Sequence, residues 1–421
     1  MEPELIIFIV AMSAAGAGIG TFSGLVPGIH VNTLAALMLS FYPAIRSVLS
    51  SFFPAHHVPI LVASCIISAA VVHSFVAFVP SVFLGAPDPD EVMNILPGHR
   101  LLLEGRGMAA VRASAIGSAI GTVAAVCLAV PMQFLVANGL GDYLESITAV
   151  VLMIAVAALI LKERGTGMIW AAILIVLSGM LGYACMFIIP EPSGIVPGGT
   201  LLFPLLTGLF GIPALLLSPK NSSIPEQTDD GPSIPVDIPG LRGVAAGAVA
   251  GWFPGITATS AAALCGSGSE KRPENFIALV SSISSAAAVF AVVTLSMTGK
   301  ARSGTMMVVG DILGGSMTGV GNSIFLLMLL CILSAALIGY LVTIRSGKWL
   351  SGAISEVRMS SFTRIVIAAM MILVAVMTGW VGLFVLASAS ILGLVPTAAN
   401  VSRVHLSGCL IVPVLLLRFG F

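Results

Sequence analysis

Residues 5–45 read LIIFIVAMSAAGAGIGTFSGLVPGIHVNTLAALMLSFYPAI, 41 residues without an Asp, Glu, Lys or Arg and with Pro27-Gly28 past their middle. About 20 apolar residues cross a bilayer, so the run is long enough for two crossings. Pro-Gly interrupts a helix: Pro lacks a donor and clashes with the preceding turn, and Gly accepts the bend. The stretch therefore describes a membrane helix that stops and restarts.

The rest of the chain repeats this pattern. Further charge-free runs cover 47–87, 113–141, 165–190, 192–219, 243–269, 275–299, 312–344 and 365–402. Mean hydropathy is +1.10, and 58% of the 421 residues are hydrophobic. Only 9% are charged, against about a quarter in soluble domains, which excludes an ordinary soluble protein. Lys+Arg and Asp+Glu are both 18, so there is no basic excess of the kind nucleic-acid binding requires. The expected fold is an all-α polytopic protein of the cell membrane, multi-pass, with roughly 10–12 spans. Cys65, Cys127, Cys185, Cys265, Cys331 and Cys409 stand singly in apolar sequence and read as small buried hydrophobes, not as a metal site or disulfide frame. Met1-Glu-Pro-Glu4 has no basic residue, so no cleavable signal peptide is expected.

The chain divides at the Pro-, Ser- and Asp-rich segment 219–242, a polar linker between membrane repeats 1–218 and 243–421. Each repeat opens on the same signature, Gly24-Leu-Val-Pro-Gly-Ile29 and Gly251-Trp-Phe-Pro-Gly-Ile256. They also close alike: Gly194-Ile-Val-Pro197 matches Gly393-Leu-Val-Pro396, and Gly208 with Pro213 matches Gly408 with Pro413. Repeats carrying broken helices are commonly inverted in transporters, and inverted repeats are the expectation. The charge count pulls the other way. With two crossings per block, parallel halves put 14 of 18 basic residues on one side and inverted halves 10, and the positive-inside rule favours the lopsided split.

A helix restarting at Ile29 or Ile256 presents free N–H groups and a positive dipole end, which suits an anion. Paired interruptions in matching halves are the sequence mark of a transporter site. The candidate substrate-binding set is Gly24, Pro27, Gly28, His30, Asn32 and Thr33, with Gly251, Pro254, Gly255, Thr257, Thr259 and Ser260. The hydroxyl and amide groups among them can donate to carboxylate or phosphate oxygens. The competing reading is a Pro-Gly kink in packed helices with Ser and Thr as interhelical glue. Asp311, the acid most deeply set in apolar sequence, is the candidate for coupling to Na⁺ or H⁺, against a place at the headgroup boundary. Arg403 is a candidate counter-charge for a substrate or an interface anchor. Asp88, Asp90 and Glu91 in the Asp-Pro loop read as a turn at the membrane edge, and Glu270-Lys-Arg-Pro-Glu274 as a solvated loop. No enzyme is expected: His-Glu-x-x-His and Gly-x-Ser-x-Gly are absent from the apolar segments. No cofactor is expected beyond a coupling ion.

The two Gly-x-x-Pro-Gly-Ile segments, the Gly85–Pro87 turn and His99-Arg-Leu-Leu-Leu-Glu-Gly-Arg-Gly-Met-Ala-Ala-Val-Arg112 followed by Gly117-Ser-Ala-Ile-Gly121 resemble the large permease subunit of tripartite tricarboxylate transporters. The resemblance covers most of the chain in order. It departs from the family at His30, where the family favours Gly, and at Ser281–Ala288, which has no acid. It implies a permease in membrane lipid, a small organic anion as cargo, and as partners a small membrane subunit and an extracytoplasmic binding protein. The expected function is secondary active transport of a di- or tricarboxylate held at half-helix N-termini near the bilayer midplane. The rival reading keeps the architecture and moves a lipid-linked phosphate.

Overall fold

The structure is a computed structural model that describes residues 3–26, 31–83, 95–190, 201–217, 225–233, 235–253, 256, 258, 261–262, 264, 272–354 and 359–420. These are helical almost throughout, with no strand among them. That is the outcome hydrocarbon enforces, because an apolar chain without water must satisfy its backbone internally. The first helices are α1 (Pro3–Leu25), α2 (Val31–Ser40), α3 (Tyr42–Leu49), α4 (Val58–Val76), α5 (Phe78–Phe83) and α6 (Ile95–Leu103). Then come α7 (Gly107–Leu135), α8 (Gly141–Leu161), α9 (Thr166–Tyr183), α10 (Leu202–Leu206) and α11 (Ile212–Leu216). Beyond the polar segment lie α12 (Asp237–Trp252), α13 (Pro273–Thr298), α14 (Gly304–Leu313), α15 (Ser323–Ile354), α16 (Met359–Ala398) and α17 (Gly408–Arg418).

Among the described residues, seven continuous helices are long and apolar enough to cross a membrane. That is fewer than the 10–12 spans expected, for two reasons. One helical run, 107–161, is 55 residues long, far beyond a bilayer's need. It turns at Asn138-Gly139, where Gly139 has φ 98°, so it holds the two spans α7 and α8. A similar turn at Gly379, φ 66°, divides α16. The segments around the breaks are also short: α2 has 10 residues and α12 has 16.

The surface is apolar. Phe22, Phe134, Ile154, Met180, Ile188, Leu337, Ile372, Trp380, Phe384 and Ile391 are all exposed, as lipid-facing side chains must be. The interior is lined with small and hydroxylated residues instead. Ser13, Ser64, Ser68, Ser114, Ser118, Ser281 and Ser282 are buried, as helix association in lipid depends on close backbone approach and interhelical hydrogen bonds. The expectation for cysteine holds at Cys65, Cys185, Cys331 and Cys409, which are buried; Cys127 is exposed on α7, and Cys265 lies outside the described residues.

Two central helices, α4 extended by α5 and α13, are buried along most of their length. Each receives one helix through a ridge of glycines four residues apart. Gly16, Gly20 and Gly24 set α1 against Cys65, Ala69, His73 and Val76 of α4. Gly243, Gly247 and Gly251 set α12 against Leu279, Ile283, Ala287 and Phe290 of α13. A Cβ at any of these glycines would run into the partner's backbone or Cβ atoms. Ser68 Oγ donates to the Ser13 carbonyl (2.6 Å) and Ser282 Oγ to the Gly240 carbonyl (2.5 Å), at the same place on each ridge.

Each central helix then takes a helix from the far part of the chain. On α4 lies α15, through Cys331 bonded to Ser13 and the Ser64 carbonyl and through Gly339 on Phe75. On α13 lies α7, through Ser114–Ser281, Gly117 on Ala278 and Gln133–Ser296. The rising residue numbers of these contacts make α1, α4 and α15 parallel, and likewise α7, α12 and α13. The two sets run opposite ways, because Gly321, just before α15, donates to Gln133 near the end of α7, whereas Gly347 near the end of α15 meets Met108 and Val111 at the start of α7. The same exchange recurs near the chain's end: Gly208 backs onto the Leu386 carbonyl and Gly408 onto that of Ile175, while Gly393 meets Leu209 and Gly182 meets Cys409.

The expected polar linker lies docked over residues 225–233. Gln227 Oε1 caps the Gly107 N–H of α7, and the Thr228 N–H reaches the Gly105 carbonyl. Asp229 pairs with Arg112 of α7 and Lys348 of α15. Lys348 first, and Arg112 with it, hold this carboxyl below the usual carboxylate range.

Candidate functional site

The chain breaks at both signatures. Helix α1 stops at Leu25 and α2 is described from Val31 onward; the expected start at Ile29 lies outside the described residues. Helix α12 stops at Trp252, and Phe253 is extended. The sequence reason is the Pro-Gly pair three residues after Gly24 and after Gly251. Pro27, Gly28 and His30, and Pro254, Gly255, Thr257, Thr259 and Ser260, lie outside the described residues.

The flanking candidates are placed. Gly24 and Gly251 are buried and are the last glycines of their ridges, so what they touch is helix, at Ala77 and Val76 and at Ala287 and Phe290. Asn32, in the first turn of α2, accepts the Thr305 N–H at 2.9 Å. That caps the start of α14, where Ser303 accepts from Met306, so two helix N-termini adjoin here. Thr33 is on the same turn of α2. Beyond the second break, Ile256, Ala258, Ala261 and Ala262 pack with Trp252, Leu152 and Ile411.

Asp311 sits in the last turn of α14 with its side chain exposed. Arg403 opens the short helical turn Arg403–Ser407 and donates to Thr397 Oγ1 at 3.3 Å. Its neighbours in this turn pack onto α9 and against Leu159 of α8 and Leu264.

Sequence reasoning missed four polar groupings. Ser23 Oγ lies 2.9 Å from His73 Nδ1, both buried, one residue before Gly24. Gln133 is fully buried and bridges Ser296 to the Gly321 N–H. His405, 1% exposed, meets Glu163 at 2.9 Å, and Glu163 also accepts the Ser402 N–H. Burial alone would raise the Glu163 pKa; the Ser402 N–H and His405 outweigh it and bring it below the usual value. Glu274 is only 3% exposed, on Arg106 (2.8 Å) and Ser233 (2.8 Å). This corrects the reading of 270–274 as a solvated loop, at least for its last residue, which is paired across 168 positions. Only the glycine ridges had a local signal, the spacing of four before each Pro-Gly pair.

Two comparisons place the chain among known proteins. Residues 29% identical over 290 positions are shared with an uncharacterized protein of Methanocaldococcus jannaschii, 68% of either chain. No solved structure matches the chain. The family model of the tripartite tricarboxylate transporter TctA family matches residues 10–408, from the middle of α1 to the start of α17. With its apolar spans and its two interrupted helices, the chain belongs to that family: it is a multi-pass membrane transporter component and not an enzyme.

Proposed function

We propose that the chain is the permease that moves a small organic anion, a di- or tricarboxylate, by secondary active transport coupled to Na⁺ or H⁺. The observation that supports this best is the pair of helix breaks, each directly after a glycine-ridge helix, in two units that run in opposite directions. We read the units as inverted repeats. In this reading the helix starts that follow Gly28 and Gly255 hold the carboxylates near the bilayer's middle, although the Ile256 N–H itself turns back to the Phe253 carbonyl. Asn32 positions the first restart through α14. Asp311, exposed in the last turn of α14, is the acidic candidate for meeting the coupling ion. A small membrane subunit would cover part of the exposed apolar surface, and an extracytoplasmic binding protein would deliver the anion. The lipid-linked phosphate reading gains no support from the family match.

Arg106, Arg112 and Arg272 stand at the starts of α7 and α13, and Arg345 and Lys348 near the end of α15, so they share one end of the molecule. Lys300 and Arg418, both on Glu145, mark the other, with Arg302. Five of these eight basic residues thus share one end, and with inverted units that more basic end is assigned to the cytoplasm. In a chain cleared of its six cysteines, an impermeant thiol reagent on intact cells should label a cysteine placed at Gly299 and spare one at Asp230; the reverse pattern overturns the orientation.

The function is tested in proteoliposomes with radiolabelled citrate and an imposed Na⁺ or pH gradient. Wild type should accumulate citrate, and Gly28→Leu and Gly255→Leu should each abolish this while eluting as folded protein. Unchanged uptake in both variants sinks the site.

A further inference from the structure

We propose that His73, buried against Ser23, is the proton-carrying group that couples transport to a pH gradient; this rests on the permease reading above. Two otherwise matching interfaces differ at one place. Gly24 leans on the His73 carbonyl, and Gly251 leans on the Ala287 carbonyl. The residue before each glycine is Ser23 in one case and Ala250 in the other. The Ser23–His73 pair therefore occupies the place that Ala250 and Ala287 fill on α12 and α13. The α12–α13 interface keeps the glycine ridge and the serine-to-carbonyl bond without such a pair, so helix packing does not call for an imidazole there.

An ionisable side chain deep in a membrane span is costly and is kept for function. Imidazole can also take up a proton at a ring nitrogen and release it again, changing that atom from hydrogen-bond acceptor to donor. The geometry gives its protonation a consequence. The Ser23 hydroxyl has one proton and two acceptors in reach, His73 Nδ1 at 2.9 Å and the Gly20 carbonyl at 3.2 Å. With Nδ1 unprotonated, the hydroxyl donates to it. With Nδ1 protonated, the ring donates to Ser23 Oγ, and the hydroxyl turns to the Gly20 carbonyl. Taking up or releasing one proton thus rewires the last turn of α1, four residues ahead of Pro27.

Little else competes for this role. Among described residues of the elements packed on α4, α1 from Leu5 onward and α2 and α5 carry no charged group. Tyr42 and Arg46 are on α3, Asp311 is exposed on α14, and Tyr340, Arg345 and Lys348 are on α15. Cys331 of α15 bonds to Ser13 on α1. Arg112 of α7 is paired with Asp229, and Glu274 of α13 with Arg106.

The test is citrate uptake by the full chain in proteoliposomes, as net accumulation under a pH gradient and as citrate/citrate exchange without one, from about pH 5.5 to 8 around the imidazole titration. The variants are His73→Gln and the double change Ser23→Ala with His73→Ala, which installs the pair already tolerated beside Gly251. Expected is at least a tenfold loss of pH-driven accumulation with exchange retained and nearly pH-independent. Wild-type accumulation and pH profile in the double variant overturn the proposal. So does wild-type uptake driven by Na⁺ alone and indifferent to pH. Absence of citrate exchange in the wild type would instead defeat the permease reading itself.

Discussion

The α1–α4 and α12–α13 interfaces are built from the same parts. Three glycines spaced by four let each pair of backbones touch, and one serine on the central helix bonds a carbonyl on its partner. They differ where charge or titration enters. The first holds Ser23–His73 where the second has two alanines. The second holds Glu274, buried on Arg106, at the start of its central helix, where α4 begins with Val58-Pro-Ile60. What matches is what lipid demands of any two touching helices: close approach and satisfied hydroxyls. What differs is expensive in lipid, so each difference needs its own cause.

The largest effect should come from closing either ridge. Gly20→Leu and Gly247→Leu each push a side chain into the facing backbone, at Ala69 and at Ile283. Overpacking of this kind costs about 3 kcal/mol or more, so both variants should elute as aggregate or melt far earlier in detergent. If one ridge tolerated leucine and the other did not, the equivalence of the interfaces would fail. Next comes Glu274→Ala, which strips the partner from Arg106, a side chain already 29% exposed in the intact protein. Breaking a buried pair costs roughly 3–5 kcal/mol, and the partly open arginine lowers this to about 2–3. Ile60→Ala, at the corresponding start of α4, deletes only apolar contacts and should restore nothing when Arg106 is also changed. In contrast, Arg106→Met should recover part of the stability lost in Glu274→Ala, read as melting temperature.

The sequence displayed the spans and both breaks because each is a local property. A charge-free run and a Pro-Gly pair act on their own turn of chain, and Leu25 and Trp252 end their helices accordingly. It displayed neither Ser23–His73 nor Gln133–Ser296, since two polar residues in separate apolar runs leave no trace of meeting. Glu274 was misleading for the opposite reason. Its neighbours Lys271 and Arg272 make a polar stretch, but its charge is satisfied by Arg106, the residue just before α7. The polar segment 219–242 looked like a tether, yet Gln227 and Asp229 bind it to α7 and α15. Direction was hidden too: it follows from Gly321 on Gln133 and Gly347 on Met108, neither of which hydropathy can reveal.

Two smaller effects sharpen the comparison. Ser68→Ala and Ser282→Ala each remove one buried interhelical hydrogen bond, worth about 1 kcal/mol. Their melting temperatures should fall by similar amounts, and a clear inequality would mean that the two bonds do different jobs.

The smallest concerns Asp229, which is held between Arg112 of α7 and Lys348 of α15, one helix from each set. Its folded-state pKa is depressed, by Lys348 first. A depressed carboxylate contributes stability that is present above its unfolded pKa of about 3.9 and lost as pH falls through the lower folded value. The side chain is 53% exposed, so solvent screens the pair and the effect on global stability is slight. It should be visible locally instead. Amide exchange at Thr228, whose N–H is bonded to the Gly105 carbonyl, should lose protection on acidification below about pH 4, after correction for intrinsic rate. In Asp229→Asn that protection should already be weak at neutral pH. Equal protection in both proteins at neutral pH would show that Gln227 alone docks the segment, and that the ion pairs with Arg112 and Lys348 add nothing to it.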